Sequence, residues 1–234
     1  MNHASPESDL AGLPGIAGGW ELQPLAGPED PELAAIELWA PARPDLLFDP
    51  DEAPASAEFH GAMPYWAWLW DSAPRMVRAL ERRGLEGRVL EVGAGLGAVG
   101  IGLAARSAGK AQVTLTDYDP LSIAVMRANA VRHGLPRECA QLLDWRSIPE
   151  HEAFDAIIGC EVTYDPTTHS ALLDVFERLL TPGGQVYLAD PGRERVPQFQ
   201  RRARERGFSI TLEDERGAPA EAVRGEFRML VLSL

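Results

Sequence analysis

The sequence predicts an α/β domain, with a mostly parallel β-sheet covered by helices on both faces and closed by an antiparallel C-terminal hairpin. Three observations predict it. Short apolar runs alternate with segments of helical periodicity from residue 61 to residue 206, and elements in that order pack as a parallel sheet between two helical layers. A glycine-rich turn, Glu91-Val92-Gly93-Ala94-Gly95-Leu96-Gly97, follows a strand and opens a helix. The last two apolar runs, Phe208 to Leu212 and Glu226 to Leu234, have no helix between them. They must pair antiparallel, because a parallel crossover needs a longer connection.

Taken in order, residues 1–19 are rich in Gly, Ala, Pro and Ser without sustained periodicity and read as a flexible leader. Residues 20–60 form an extension in which Ala35-Ile36-Glu37-Leu38-Trp39 alternates as a short strand before Pro41 and Pro44, suggesting a small N-terminal β-ribbon. The main domain, residues 61–234, begins its regular pattern at Arg88 to Val92, a buried strand, followed by a helix over Ala98 to Arg106. A second strand, Gln112 to Thr116, ends in Asp117. Pro120 suits the first turn of the next helix, which runs through Leu121 to Arg132 and stops at Gly134. Strands follow at Ala140 to Leu143, Phe154 to Gly159 and Gln185 to Ala189, separated by helices at Thr167 to Leu180 and Glu194 to Arg206.

Composition narrows the function classes. The net charge is −13, and residues 1–60 hold twelve acidic side chains against a single basic one, Arg43. The arginines between Arg193 and Arg206 alternate with Glu194 and Glu205 as on a solvated helix face, so no basic strip for nucleic acid is expected. No apolar run approaches the ~18–20 residues of a membrane span. Cys139 and Cys160 have no metal-type spacing, and the N-terminus lacks the pattern of a secretory signal, which fits a cytoplasmic protein. His60, His133, His151 and His169 show no ligand spacing, so no metal is expected.

Glycines at 93, 95 and 97 let the backbone turn sharply and approach a ligand without Cβ interference. The stretch Gly95-Leu96-Gly97-Ala98-Val99-Gly100, with Asp117 about 20 residues on, also satisfies a dinucleotide fingerprint. The loop alone therefore serves NAD or S-adenosylmethionine. Glu91, at the strand tip, suits a cationic amino-acid moiety and would repel a pyrophosphate. No separate substrate domain follows, and Lys110 has no tyrosine four residues before it, which excludes a reductase of the Tyr-Lys type. The C-terminal hairpin is also a feature of class I methyltransferases.

From about Pro64 onward the chain resembles the seven-β-strand protein-lysine methyltransferases, which are class I, Rossmann-like enzymes. Pro64-Tyr65-Trp66-Ala67-Trp68-Leu69-Trp70 resembles the family's tryptophan-bearing segment over the cofactor. Glu91 to Gly97 matches its first motif, and Leu143-Asp144-Trp145 its adenine-contacting step. Glu161-Val162-Thr163-Tyr164 stands where the family carries Asp-x-x-Tyr. Asp190-Pro191-Gly192-Arg193 is similar to the branch acting on the electron-transfer flavoprotein β subunit.

The resemblance implies S-adenosylmethionine as cofactor, leaving as S-adenosylhomocysteine, and a protein substrate presenting a lysine. It implies cofactor binding by Trp66, Glu91, Gly93, Gly95, Gly97, Asp117, Asp144 and Trp145, and catalysis by Glu161 and Tyr164, with Asp165 as a neighbouring carboxylate. Bland readings stand beside these. Trp66, Trp68 and Trp70 also suit ordinary packing. Asp144 also suits a turn cap, and the Glu161–Tyr164 segment a capped loop before Pro166. Glu161 is a methylene longer than the family's Asp, which leaves open a small-molecule N- or O-methyltransferase. A non-catalytic cofactor-binding protein is the third reading.

Overall fold

The computed structural model describes residues 12–48, 63–150 and 152–234. Most of the expected leader, the end of the extension, the domain boundary at residue 61, His60 and His151 lie outside these residues.

The ribbon pairs β1 (Trp20–Pro24) antiparallel with β2 (Glu37–Pro41), Trp20 opposite Pro41. β2 starts two residues later than the alternation predicts. A helical turn, α1 (Pro31–Ala34), capped by the Asp30 carboxylate on Leu33 N at 3.2 Å, claims Ala35, and Ile36 N–H donates to Leu33 O. Pro41 is the last strand residue, a position where a missing N–H is tolerated.

The next helix, α2 (Ser72–Arg83), is absent from the sequence expectation. Three tryptophans and Pro74 hide its start, yet its signals are present: buried Ala73, Met76, Val77 and Leu80 line one face, and Gly84 ends it at φ 64°. The remaining elements are β3 (Gly87–Val92), α3 (Ala98–Arg106), β4 (Ala111–Asp117), α4 (Pro120–Arg132), β5 (Ala140–Leu142), β6 (Phe154–Cys160), α5 (His169–Leu179), β7 (Leu180–Asp190), α6 (Val196–Glu205), β8 (Ser209–Glu213) and β9 (Arg228–Ser233). β7 is longer than expected because its first residues continue directly from α5. Its ladder with β6 is irregular between Phe154 and Ala156, next to Gly183 at φ 81°.

The sheet order is β5-β4-β3-β6-β7-β9-β8, with β3 to β7 parallel and β9 antiparallel to both β7 and β8. The C-terminal pair is antiparallel as expected, but its second strand inserts next to β7. Strand order reverses between β3 and β6, and in open sheets ligands bind in the crevice outside the carboxyl ends at such a switch point. One core cluster includes Met76, Val77, Leu80, Ile101, Leu115 and Met126. A second is built on Leu172, Phe176 and Phe199. No described helix is long and apolar enough to cross a membrane.

Asn129 of α4 ties the ribbon to the glycine loop. Fully buried, it accepts from Trp39 N at 2.7 Å and donates to Trp39 O at 3.1 Å and Leu96 O at 3.0 Å. Asn129→Ala strands these buried groups and is expected to cost ~1–3 kcal/mol. Urea denaturation should report the loss, and hydrogen exchange should localise it to β2.

Candidate active site

Gly93, Gly95 and Gly97 have φ values of 60°, 56° and 81°. A Cβ on Gly93 would lie 2.9 Å from Val162 Cγ1, and one on Gly95 2.9 Å from the carbonyl oxygen of Trp66. The loop is therefore pressed from both sides and admits no side chain there. Gly95 N–H donates to Asp117 Oδ2 at 3.0 Å, and Ser122 Oγ donates to Gly95 O at 2.7 Å, a support that sequence reasoning missed.

Glu91 lies on buried β3 with 2% exposure, and its carboxylate accepts from Gly100 N at 2.7 Å, at the first turn of α3. Burial pushes its pKa up to about 8. The Gly100 and Val99 N–H groups oppose that rise and Asp117 adds to it. Between its ordinary 4.5 and about 8, the folded state holds a proton that the unfolded state has released. Glu91 therefore makes stability fall as pH rises through this window and level off above it. Glu91→Gln should remove that part of the slope, measured as the wild-type minus variant difference in unfolding free energy from pH 4.5 to 9.

Asp117 closes β4, where its carboxylate also accepts from Tyr118 N at 2.8 Å and Asp119 N at 3.2 Å; burial raises its pKa. Trp66 sits in a 3-10 turn, Tyr65–Ala67, and its buried indole N–H meets no acceptor among the described residues.

Trp66, Glu91, Gly93, Gly95 and Asp117 line a cleft of about 540 Å³ at the switch point, within the usual range for small-ligand sites. Glu161 and Tyr164 line its other side. Glu161 follows β6 at φ 57°, uncommon for a non-glycine residue, with its N–H donating to Ala189 O at 2.8 Å. Its buried carboxylate pairs with Arg193 Nη2. Tyr164 packs edge-on to Tyr65 at 5.2 Å between ring centroids, and burial raises its phenol pKa.

Four expected site residues fall outside the cleft lining. Gly97 faces the core, where a Cβ would lie 3.1 Å from Ile101 Cδ1 and Leu115 Cδ1. Asp165 caps the turn before α5, accepting from Thr167 N at 2.8 Å and Thr167 Oγ1 at 2.7 Å. Asp144 is held by Arg146, accepting from its N at 3.0 Å and from Nε and Nη2 at 2.9 Å, which keeps the carboxyl below its ordinary pKa. Trp145 stands behind Gly93, with a ring carbon 3.4 Å from where a Cβ would sit. In each case a local partner two residues away, or packing toward the core, accounts for the position.

Arg193, by contrast, is a site residue that sequence reasoning missed, although its motif signals the loop. Its guanidinium carbon lies 5.2 Å from the Trp70 ring centroid. Burial and the surrounding carboxylates raise the Cys160 pKa well above its ordinary value, which argues against a thiolate nucleophile. Buried His169 faces Thr163 O at 2.9 Å through Nε2, and among the described residues no cluster of His, Cys, Asp and Glu could hold a metal. A second, more open groove of about 1050 Å³ shares Trp68, Trp70, Glu161, Pro191 and Arg193 with the cleft. Glu161 thus stands on the wall common to both.

A family model described as lysine methyltransferase matches residues 67–210, more than half of the chain. The chain belongs to the lysine methyltransferase family. Its matched segment runs from Ala67, just after Trp66, into β8 and so includes the glycine loop and the Glu161–Tyr164 loop whole. Among curated members, the chain is 33% identical over 132 residues to Protein N-lysine methyltransferase METTL21A of Xenopus tropicalis, covering 53% of this chain and 59% of that protein. It is 34% identical over 137 residues to EEF1A lysine methyltransferase 3 of Mus musculus, covering 54% and 56%. The chain thus spans under two thirds of the length of these curated relatives.

Solved structures share the fold of this lysine methyltransferase family member. A TehB-like SAM-dependent methyltransferase from Corynebacterium glutamicum superposes with a TM-score of 0.55 at 19% identity, covering 68% of this chain and 86% of that one. The glycopeptide N-methyltransferase MtfA complexed with sinefungin gives 0.55 at 16% identity, covering 71% and 95%. The mostly parallel Rossmann-like sheet with antiparallel C-terminal strands is the expected one.

Proposed function

We propose that this chain is an S-adenosylmethionine-dependent methyltransferase acting on a lysine side chain of a protein substrate. The observation that carries the reading is the position of Glu161, buried on the wall between the cleft and a more open groove. A cofactor in the cleft and a lysine entering from a protein docked over the groove would meet there.

The cleft suits the cofactor on its own chemistry. Gly93 and Gly95 stand on the cleft wall where any side chain would strike Val162 or the Trp66 backbone, and Trp66, whose buried indole N–H is unpaired among the described residues, lines the same cleft. Gly93 and Gly95 would let the backbone approach it while Gly97 sets the turn behind them, Trp66 would cover it, and Asp117 would accept from the ribose hydroxyls. Glu91, once ionised, would face the cationic amino-acid moiety. Trp145 supports the loop from behind Gly93, and Asp144 would reach the adenine only by releasing Arg146. When bound, S-adenosylmethionine supplies a sulfonium-activated methyl group, which an amine lone pair takes as the carbon–sulfur bond breaks and sulfur keeps the bonding electrons.

This chain's residues then position the acceptor and exclude water. A lysine amine, with a free pKa near ~10.4, has to arrive without its proton. Glu161 accepts a hydrogen bond from the amine, and Tyr164, its phenol kept neutral by burial, packs beside it. Asp165 contributes by capping the loop that carries both. A reducing cytoplasm is the setting we propose, supported by two free cysteines, Cys139 and Cys160.

The test is transfer from methyl-labelled S-adenosylmethionine to bacterial lysate proteins, to purified EEF1A and to purified electron-transfer flavoprotein β subunit. The EEF1A arm follows from a relative's name, and the flavoprotein arm from Asp190-Pro191-Gly192-Arg193. Acid hydrolysis should yield ε-N-methyl-lysine from a protein. Label confined to small molecules would instead assign a small-molecule methyltransferase, and no transfer at all a non-catalytic binding protein. Lys110 is the chain's one lysine, so Lys110→Arg removes self-methylation from the readout.

A further inference from the structure

This inference rests on the lysine reading above. A lone carboxylate at the acceptor position would hinder that chemistry, because an opposite charge within ~4–6 Å holds a bound amine in its protonated form by about 1–3 pKa units. Here the carboxylate comes with its own counter-charge. Arg193 pairs with Glu161 on the wall that the cleft and the groove share.

Several independent features keep Arg193 in place. Its guanidinium lies over the Trp70 ring, and its backbone N–H donates to Asp190 Oδ1 at 2.7 Å. Gly192 before it has φ 72°, and its Cα faces the backbone of Val223 so closely that a Cβ has no room. Across the same seam, Gly225 N–H donates to Pro191 O at 2.8 Å. The loop after β7 is thus stitched to the chain entering β9. Asp190 in turn accepts from Thr163 Oγ1 at 3.0 Å, two residues beyond Glu161.

We infer that Arg193 is a positioning residue that cancels the charge of Glu161 at the acceptor site, so that the lysine side chain binds as the free amine and not as the ammonium ion. Glu161 remains a hydrogen-bond acceptor for an amine N–H, while an ammonium ion meets a guanidinium already in place and gains no uncompensated partner. Its proton leaves to water in the open groove before the nitrogen enters the cleft.

Other ionisable groups face this region. Glu91, Asp117, Cys160 and Asp190 stand at the ends of β3, β4, β6 and β7, and Tyr164 in the loop after β6; burial pushes all five toward the neutral form. Tyr65 and Tyr118 flank the cleft, and Glu194, Arg195 and Arg224 line its outer side beside Arg193. Among these described groups, the ion pair is Glu161–Arg193.

The test compares wild type with Arg193→Lys, Arg193→Gln and Arg193→Met, each saturated with S-adenosylhomocysteine. The probe is Nα-acetyl-L-lysine amide carrying ¹³C at Cε, whose carbon shift follows amine protonation from pH 7 to 11. In wild type and Arg193→Lys, the bound amine is expected to titrate below the free value of ~10.4. In Arg193→Gln and Arg193→Met it should titrate at least about 1 unit above wild type. Methionine keeps apolar packing on Trp70, and S-adenosylhomocysteine affinity by calorimetry verifies an intact site in each variant.

An identical titration in wild type and Arg193→Met overturns the inference. If ε-N-methyl-lysine forms in the labelling assay while the titration does not move, the Arg193 role falls alone. If wild type neither binds the probe nor methylates any lysine, the lysine reading falls and takes this one with it.

Discussion

Glu161→Ala is expected to lower kcat for lysine methylation by roughly 10²-fold, the scale for misplacing a reacting atom when the group that positions it is lost, while leaving S-adenosylmethionine affinity nearly unchanged. The separation follows from the fold. Glu161 follows β6, whereas the cofactor cradle is formed by the β3 and β4 ends with the Trp66 turn. Alanine suffers much the same left-handed strain as glutamate at φ 57°, and the N–H bond to Ala189 O survives the change. The loop should therefore stay in place without its carboxylate. Arg193, whose side chain is 32% exposed, can stay over Trp70 with its charge met by water once its partner is gone. Initial rates with labelled cofactor, together with calorimetric cofactor titration, provide both readouts. Wild-type turnover in the variant would remove Glu161 from the mechanism.

Gly95→Ala should abolish measurable cofactor binding and destabilise the protein by ~2–5 kcal/mol, the sum of a left-handed penalty of ~1–2 kcal/mol and an overpacking cost of ~1–3 kcal/mol. The new Cβ would lie 2.9 Å from the Trp66 carbonyl oxygen and 3.3 Å from its Cα. Those are backbone atoms and cannot swing aside as a side chain tip would. Gly95 is itself tethered by Asp117 and Ser122, so relief by moving the loop breaks buried hydrogen bonds. Gly109→Ala is the matched control. That glycine has φ 80° with nothing within 4 Å of the place a Cβ would take, so its alanine carries the conformational penalty alone. Denaturant midpoints and cofactor calorimetry on both variants separate the two contributions. Wild-type cofactor affinity in Gly95→Ala would show that the loop is not the cradle.

How legible each part is depends on the range of the interaction that holds it. α4 can be read from sequence because its start is local: Pro120 at the first turn, and Asp119 accepting from Leu121 N at 2.7 Å and Ser122 N at 3.4 Å. The glycine loop is legible for the same reason, since three left-handed residues in five admit few alternatives to glycine. α2 escapes because tryptophans and a proline at its entrance do not resemble a helix start, and the helix owes its place to the buried face of Met76, Val77 and Leu80. Asp144 and Asp165 stand out in the sequence only through a family motif and a neighbouring one. In this chain Arg146 and Thr167, each two residues along, satisfy them.

The sequence by itself determined the alternating α/β order, the antiparallel ending, the glycine turn and the presence of a carboxylate and a tyrosine after β6, because these follow from backbone conformational limits and hydrophobic period over a few residues. Tertiary structure alone decided that β9 lies between β7 and β8, that Trp66 closes over Gly95, and that Arg193 reaches Glu161 across 32 positions. The physical reason is that a charge has no fixed meaning until its partners are known. Glu161 reads from sequence as a bare carboxylate, and only the meeting of two loops from adjacent strands makes it half of an ion pair on the wall between cleft and groove.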